Sequence, residues 1–106
     1  MSGTLAIVAR FVAKAGCEEE LRATLLEAAA IALAEEPGCR RFEILQAVNP
    51  DGVVLPDTFM SNELFDDYEA VEAHRNSRHA PVRKARIRAL VSSQTRIEMG
   101  AVIDEV

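Results

Sequence analysis

Residues Leu5 to Ala13 (LAIVARFVA) place apolar side chains on both parities of an extended chain. Leu5, Ile7, Ala9 and Phe11 fall on one side, while Ala6, Val8 and Val12 fall on the other together with Arg10. Side chains of a strand alternate between faces, so this run predicts a strand covered on both. A chain of 106 residues builds one modest core. Helices can cover one face of its sheet, and the second apolar face then needs a partner. Face-to-face pairing of two copies under two-fold symmetry is the economical cover, so the chain is expected to be a homodimer.

The rest of the chain supplies the other elements. Cys17 to Glu36 holds strong helix formers and no Gly or Pro, with Glu18, Glu19 and Glu20 in the first turn where the helix dipole favours them. Leu21, Leu25, Ala28, Ala29 and Ala32 form its apolar stripe, and Pro37-Gly38 ends it. Arg41 to Val48 reads as a second strand, followed by the turn Asn49-Pro50-Asp51-Gly52. Pro56 marks Val53 to Asp57 as a loop or frayed edge, and Thr58 to Phe65 as a third strand. Asp66-Asp67 offers an N-cap for a helix through Tyr68, Val71 and His74. After an irregular stretch from Asn76 to Ala80, Pro81 opens a helix to Leu90, with Val82, Ala85, Ala89 and Leu90 predicted inward and the basic residues outward. Ser92 to Met99 is the predicted fourth strand. The order β-α-β-β-α-β is the split βαβ, or ferredoxin-like, α+β arrangement, read as one domain over residues 1–106.

Charge narrows the function. A net charge of −5 disfavours nonspecific nucleic-acid binding. No apolar stretch reaches the roughly 20 residues needed to span a membrane, and the N-terminus lacks a secretory pattern. The expectation is a cytoplasmic protein with Cys17 and Cys39 reduced and inert, and with no metal site, since neither sits in a ligand motif. Between Arg75 and Arg96 there is no acidic residue, and seven basic ones are present. Such a run is commonly a solvated helix face; the alternative is an anion site, with Arg83 a substrate contact.

The candidate chemistry lies in Asn62, Glu63, Phe65, Tyr68, His74 and His79. A carboxylate near two imidazoles can hold a tautomer and supply a general base near neutral pH. Each residue also has a structural alternative. His74 can simply complement a helix C-terminus. Glu63 needs a partner if buried, and Arg41 or Arg10 on a neighbouring strand would serve. Tyr68 can be packing and Asn62 a sheet residue.

At these positions the chain resembles a known family. Glu63-Leu-Phe65 followed by His74 nine residues beyond the aromatic, and His79 five later, is similar to the pattern of antibiotic biosynthesis monooxygenase domains. The Glu-Glu-Pro-Gly-Cys39 turn before Arg41-Phe42-Glu43 is similar to their helix-to-strand junction. The resemblance runs from Leu5 to about Glu98. It implies a ferredoxin-like protomer, a dimeric α/β barrel and a small apolar cavity between sheet and helices. It further implies an enzyme without a cofactor that oxygenates small quinol or aromatic polyketide-like substrates. In that reading His74 or His79 is the base or phenolate stabiliser, Glu63 orients it and Phe65 walls the cavity; Asn62, Tyr68 and Arg83 are the further candidate substrate contacts. The family's usual Trp is Phe65 here. Haem-degrading relatives carry an Asn on the first strand, where this chain has Ala9 and Arg10, which disfavours haem degradation. Arg41 to Gln46 with the Glu-x-aromatic and paired His also resembles isomerases of a phosphorylated quorum-sensing signal. A noncatalytic dimeric ligand-binding domain is the remaining alternative.

Overall fold

The computed structural model describes residues 3–103. Seven elements follow in order: β1 Leu5–Val12, α1 Glu18–Glu35, β2 Cys39–Val48, β3 Val54–Phe65, α2 Tyr68–Arg75, α3 Ala80–Leu90 and β4 Arg96–Ala101. The four strands form one antiparallel sheet in the order β2-β3-β1-β4. This is the expected ferredoxin-like α+β fold, with its second helical segment divided in two.

Local chemistry accounts for the boundaries. Gly16 (φ +84°) turns the chain out of β1, and α1 begins one residue after Cys17 with its three glutamates in the first turn. Asn49 Oδ1 accepts from the N–H groups of Asp51 and Val53, closing the turn in which Gly52 adopts φ +80°. Asp67 caps α2, its side chain accepting from Ala70 N–H at 2.9 Å. Gly38 is required by close approach, because a Cβ there would collide with Ala70 on α2.

Two sequence expectations change and one is decided. Of the loop or frayed edge expected over Val53 to Asp57, the strand edge is the outcome, since Val54–Pro56 belongs to β3. The pairing of β3 with β1 ends at Thr58, and the β2 register shifts between Gln46 and Val48, so Pro56 sits where an N–H is not demanded. The Gln46 side chain satisfies the strand there, its Nε2 donating to the carbonyls of Leu55 at 2.7 Å and Thr58 at 2.9 Å. The fourth strand starts at Arg96, not Ser92, because Val91 makes only an isolated bridge to Ala13 and Ser92 to Thr95 form a turn. On α3, Val82, Ala85 and Ala89 are exposed, and the inward line is Ala80, Arg83, Ile87 and Leu90. Spacings of three and four residues join these positions, so one basic residue is drawn to the covered side.

Parity divides the sheet. Ile7, Ala9 and Phe11 of β1 share the helix-covered face with Phe59, Ser61, Glu63 and Phe65 of β3 and Phe42 and Ile44 of β2. Two apolar clusters lie on that face, one around Phe11, Leu21, Leu25, Phe59 and Leu90, the other around Ile7, Ala32, Phe65 and Val71. Ser61 and Glu63 interrupt the apolar row of β3 between them. The opposite face carries Ala6, Val8, Leu45, Met60 and Leu64 with Arg10, Arg41 and Glu43, and no helix among the described residues covers it. Among the described residues no helix is long and apolar enough to cross a membrane.

Candidate functional site

Small residues open a space under the helices. Ala9 on β1 faces Ser61 on β3 across the sheet, and both line a cavity of about 510 Å³ between the sheet, α1 and α3. That volume suits a small ligand. Phe11, Leu25, Phe42 and Ile87 give it apolar walls, and Glu63 and His74 sit in its lining.

Glu63 is 6% exposed and His74 8% exposed. Glu63 Oε2 accepts a hydrogen bond from Ser61 Oγ at 2.8 Å. Its other oxygen lies 3.8 Å from His74 Nε2. Burial pushes the Glu63 carboxyl up to about 7, against the smaller opposing pulls of Ser61 and the Arg83 guanidinium. His74 moves the other way: burial and then Arg83 depress it, opposed by Glu36. The pair is therefore a neutral imidazole beside a carboxyl that is readily protonated, not a fixed ion pair.

Glu36 orients the ring. Its Oε1 lies 2.7 Å from His74 Nδ1, and a carboxylate accepts only, so Nδ1 carries the proton and Nε2 presents its lone pair toward Glu63 and the cavity. Phe65 and Phe42 flank the imidazole, with ring centroids 5.2 Å and 5.8 Å away. Arg83 closes the arrangement by donating from Nη2 to the His74 carbonyl at 3.4 Å. A base aimed by a carboxylate, next to a second acid in an apolar-walled pocket, can move protons to and from a bound substrate.

The structure thus brings Glu63, His74, Phe65 and Arg83 together, with Phe65 fully buried behind the imidazole rather than lining the cavity. It does not bring the other candidates there. Asn62 has the opposite parity, on the uncovered face, where Nδ2 donates to Glu43 Oε1 at 3.1 Å. Tyr68 begins α2 and is 53% exposed. His79 Nε2 lies 2.9 Å from Glu35 Oε2 and lines a separate small recess between α1 and α3. The partners suggested for Glu63 do not meet it either: Arg10 pairs with Met60 and Arg41 with Leu64, both on the uncovered face.

Two contributors were not singled out from the sequence. Ser61 was legible, since it shares parity with Glu63 two residues away. Glu36 was not, because 38 residues separate it from His74 and no local spacing joins them. Cys39 is buried with its thiol raised to about 11, chiefly by burial, and Cys17 and Cys39 are both unpaired. Among the described residues no three His, Cys, Asp or Glu side chains are grouped to hold a metal ion.

A ferredoxin-like α+β domain with a carboxylate-aimed histidine over a small apolar cavity defines a class of protein. The antibiotic biosynthesis monooxygenase family model matches residues 4–82, and the chain belongs to that family. The fold matches SnoaB, a cofactor-independent oxygenase from Streptomyces nogalater, at TM-score 0.80 and 17% identity, covering 98% of this chain and 97% of that one. It matches a Mycobacterium tuberculosis protein at TM-score 0.82 and 24% identity, covering 96% and 97%. A Nitrosomonas europaea protein of unknown function is 28% identical at TM-score 0.79, covering 100% of this chain and 96% of the other. No curated protein is matched.

Proposed function

We propose that this protein is a cofactor-independent monooxygenase of small quinols or related electron-rich aromatics, with the cavity beside His74 as its active site. The observation that carries the reading is the relay Glu36–His74–Glu63, in which a buried neutral imidazole keeps Nε2 free over an apolar pocket. His74 Nε2 takes a proton from the substrate's hydroxyl or activated ring carbon. The resulting anion is electron-rich enough to reduce oxygen itself. A carbon–oxygen bond forms, and the peroxide then breaks its O–O bond as a carbonyl forms. One oxygen atom stays in the product and the other leaves as water, so converting a ring CH2 to C=O uses one O2. Glu63, its carboxyl pushed up to about 7 and so partly protonated at neutral pH, supplies a proton to the departing oxygen, and Phe42, Phe11 and Ile87 keep competing water away.

The homodimer belongs to the same proposal. Val8 and Leu45, each 42% exposed, and Met60 and Leu64 make an apolar centre on the uncovered sheet face that a second copy would bury.

The cationic mouth of the cavity supports one other reading, isomerisation of a small phosphorylated metabolite by the same acid–base pair. The test is oxygen uptake across a panel of hydroquinones and anthrones, with His74→Ala as control. Substrate-dependent uptake that falls in the variant supports the oxygenase. Uptake no faster than buffer across the panel, with anaerobic turnover of a sugar-like phosphate, supports the isomerase instead.

A further inference from the structure

The cavity is lopsided in charge. Arg75 at the end of α2 and Arg83, Lys84 and Arg88 on α3 line it, against the single carboxyl of Glu63. Two of these cations are already engaged. Arg75 Nη1 lies 3.2 Å from Glu72 Oε1, and Arg83 reaches the His74 carbonyl and faces Glu36 and Glu63. Lys84 and Arg88 make no ion pair or side-chain hydrogen bond among the described residues. They lie four apart on α3, one turn, so their head groups reach the same stretch of the mouth. Thr95, at the turn before β4, also lines the cavity, and its buried Oγ1 has no partner among the described residues. Apolar walls below and two unengaged cations at the mouth form an arrangement that a neutral ring alone leaves incomplete.

We propose that the molecule taken up here is an amphipathic oxyanion, an aromatic ring carrying a carboxylate or phosphate head held by Lys84 and Arg88. The ring lies between Phe11, Leu25, Phe42 and Ile87, which brings its acidic hydrogen toward His74 Nε2. The head remains at the mouth, where the guanidinium of Arg88 can bind two oxygens at once and Lys84 adds a point charge. Anchoring by the head would fix which ring position faces the imidazole, so the cations set regiochemistry as well as affinity. This rests on the cavity being the substrate site, as read above, and not on the reaction being an oxygenation.

Binding without turnover tests it. Under anaerobic conditions, 2-naphthol, 3-hydroxy-2-naphthoate and 2-naphthyl phosphate are titrated into the full chain by calorimetry. The expected result is that at least one charged probe binds about tenfold or more tighter than naphthol, as a charge-assisted pair supplies. That advantage shrinks as salt rises. The double variant K84A/R88A, altered only at exposed positions, should lose the advantage while its naphthol affinity stays the same. Whichever charged probe binds tighter identifies the head as carboxylate or phosphate. Equal binding of naphthol and both anions, or an advantage that survives in the double variant, overturns the proposal. Failure of all three probes to bind overturns it together with the cavity as substrate site. Retained preference for an anion with no oxygen uptake by any substrate overturns the monooxygenase reading alone.

Discussion

His74 Nδ1 lies 2.7 Å from Glu36 Oε1, which ties the last turn of α2 to the residue that ends α1. The contact fixes the imidazole tautomer, and with it the nitrogen that faces the cavity. In the proposed reaction Glu36 is a positioning residue acting through His74. In Glu36→Gln the negative charge that raises the His74 pKa is gone, so the base becomes weaker. The acid limb of the kcat/KM profile should move to lower pH, and the plateau should fall by about tenfold or more. Histidine NMR titration of the same variant gives the shift directly; an unmoved titration and profile would mean that the contact is only structural.

Glu63 makes stability depend on pH in a definite direction. Its carboxyl titrates near 7 in the fold against an ordinary 4.5. A raised value means that the contribution is fully present below about 4.5 and is lost as pH rises through 7. The gap corresponds to about 3 kcal/mol. Glu63→Gln keeps the shape and cannot ionise, so its stability relative to the parent should rise between pH 4.5 and 8 by an amount of that order. Urea unfolding at the two pH values measures this, and a constant difference would show that the carboxyl is not held protonated.

His74 pulls in the opposite sense. Its depressed pKa means that the contribution is present above the unfolded value near 6.5 and is lost as pH falls below it, toward and past the folded pKa. His74→Gln, scanned by the same unfolding method, should therefore lose less stability than the parent between pH 7 and 5. An identical slope would argue that the imidazole is not desolvated.

Gly38 and Ala70 test the packing that sets α2 against β2. Gly38→Ala should destabilise by about 1–3 kcal/mol, the usual cost of an overpacked contact. Ala70→Gly in the same chain removes the opposing methyl and should recover part of that loss after its own helix cost of about 1 kcal/mol is counted. A double-mutant cycle with no coupling would place the two residues apart.

The uncovered sheet face gives the assembly prediction. Val8→Arg or Leu45→Glu puts a charge at the centre of the apolar patch without touching the cavity. Light scattering should find the parent at twice the protomer mass and these variants at the protomer mass. A monomeric parent would contradict the proposed dimer.

The fold was legible because its signals are local. The two-sided β1, the acidic start of α1, the Asp67 cap and the glycine turns each act within a few residues. Glu63 and His74 were legible as candidates for a related reason, being a carboxylate in an apolar strand and a histidine one helix later. What could not be read is side-chain reach across the fold. Glu36 meets His74 only because α1 and α2 end at the same corner of the sheet. His79 shares the basic segment with Arg83, yet from the position just before α3 it reaches Glu35 instead of the cavity. Arg83 is legible as a candidate contact but not as a covered residue, because its charge favours solvent while the spacing of Ala80, Arg83 and Ile87 carries it inward beside two glutamates. Asn62 shows the force of strand parity, since one residue's offset from Glu63 moves it to the opposite face.

In the proposed reaction, substrate, oxygen and the His74 relay suffice for oxygenation. The most direct measurement is turnover of a quinol or anthrone under isotopically heavy dioxygen, with purified protein and no added flavin or metal, followed by mass spectrometry of the product. One heavy oxygen per product molecule is expected, in the newly formed carbonyl, with the second recovered in water and labelling above the buffer rate lost in His74→Ala. Product formed without label, or labelling equally fast in His74→Ala, would contradict it.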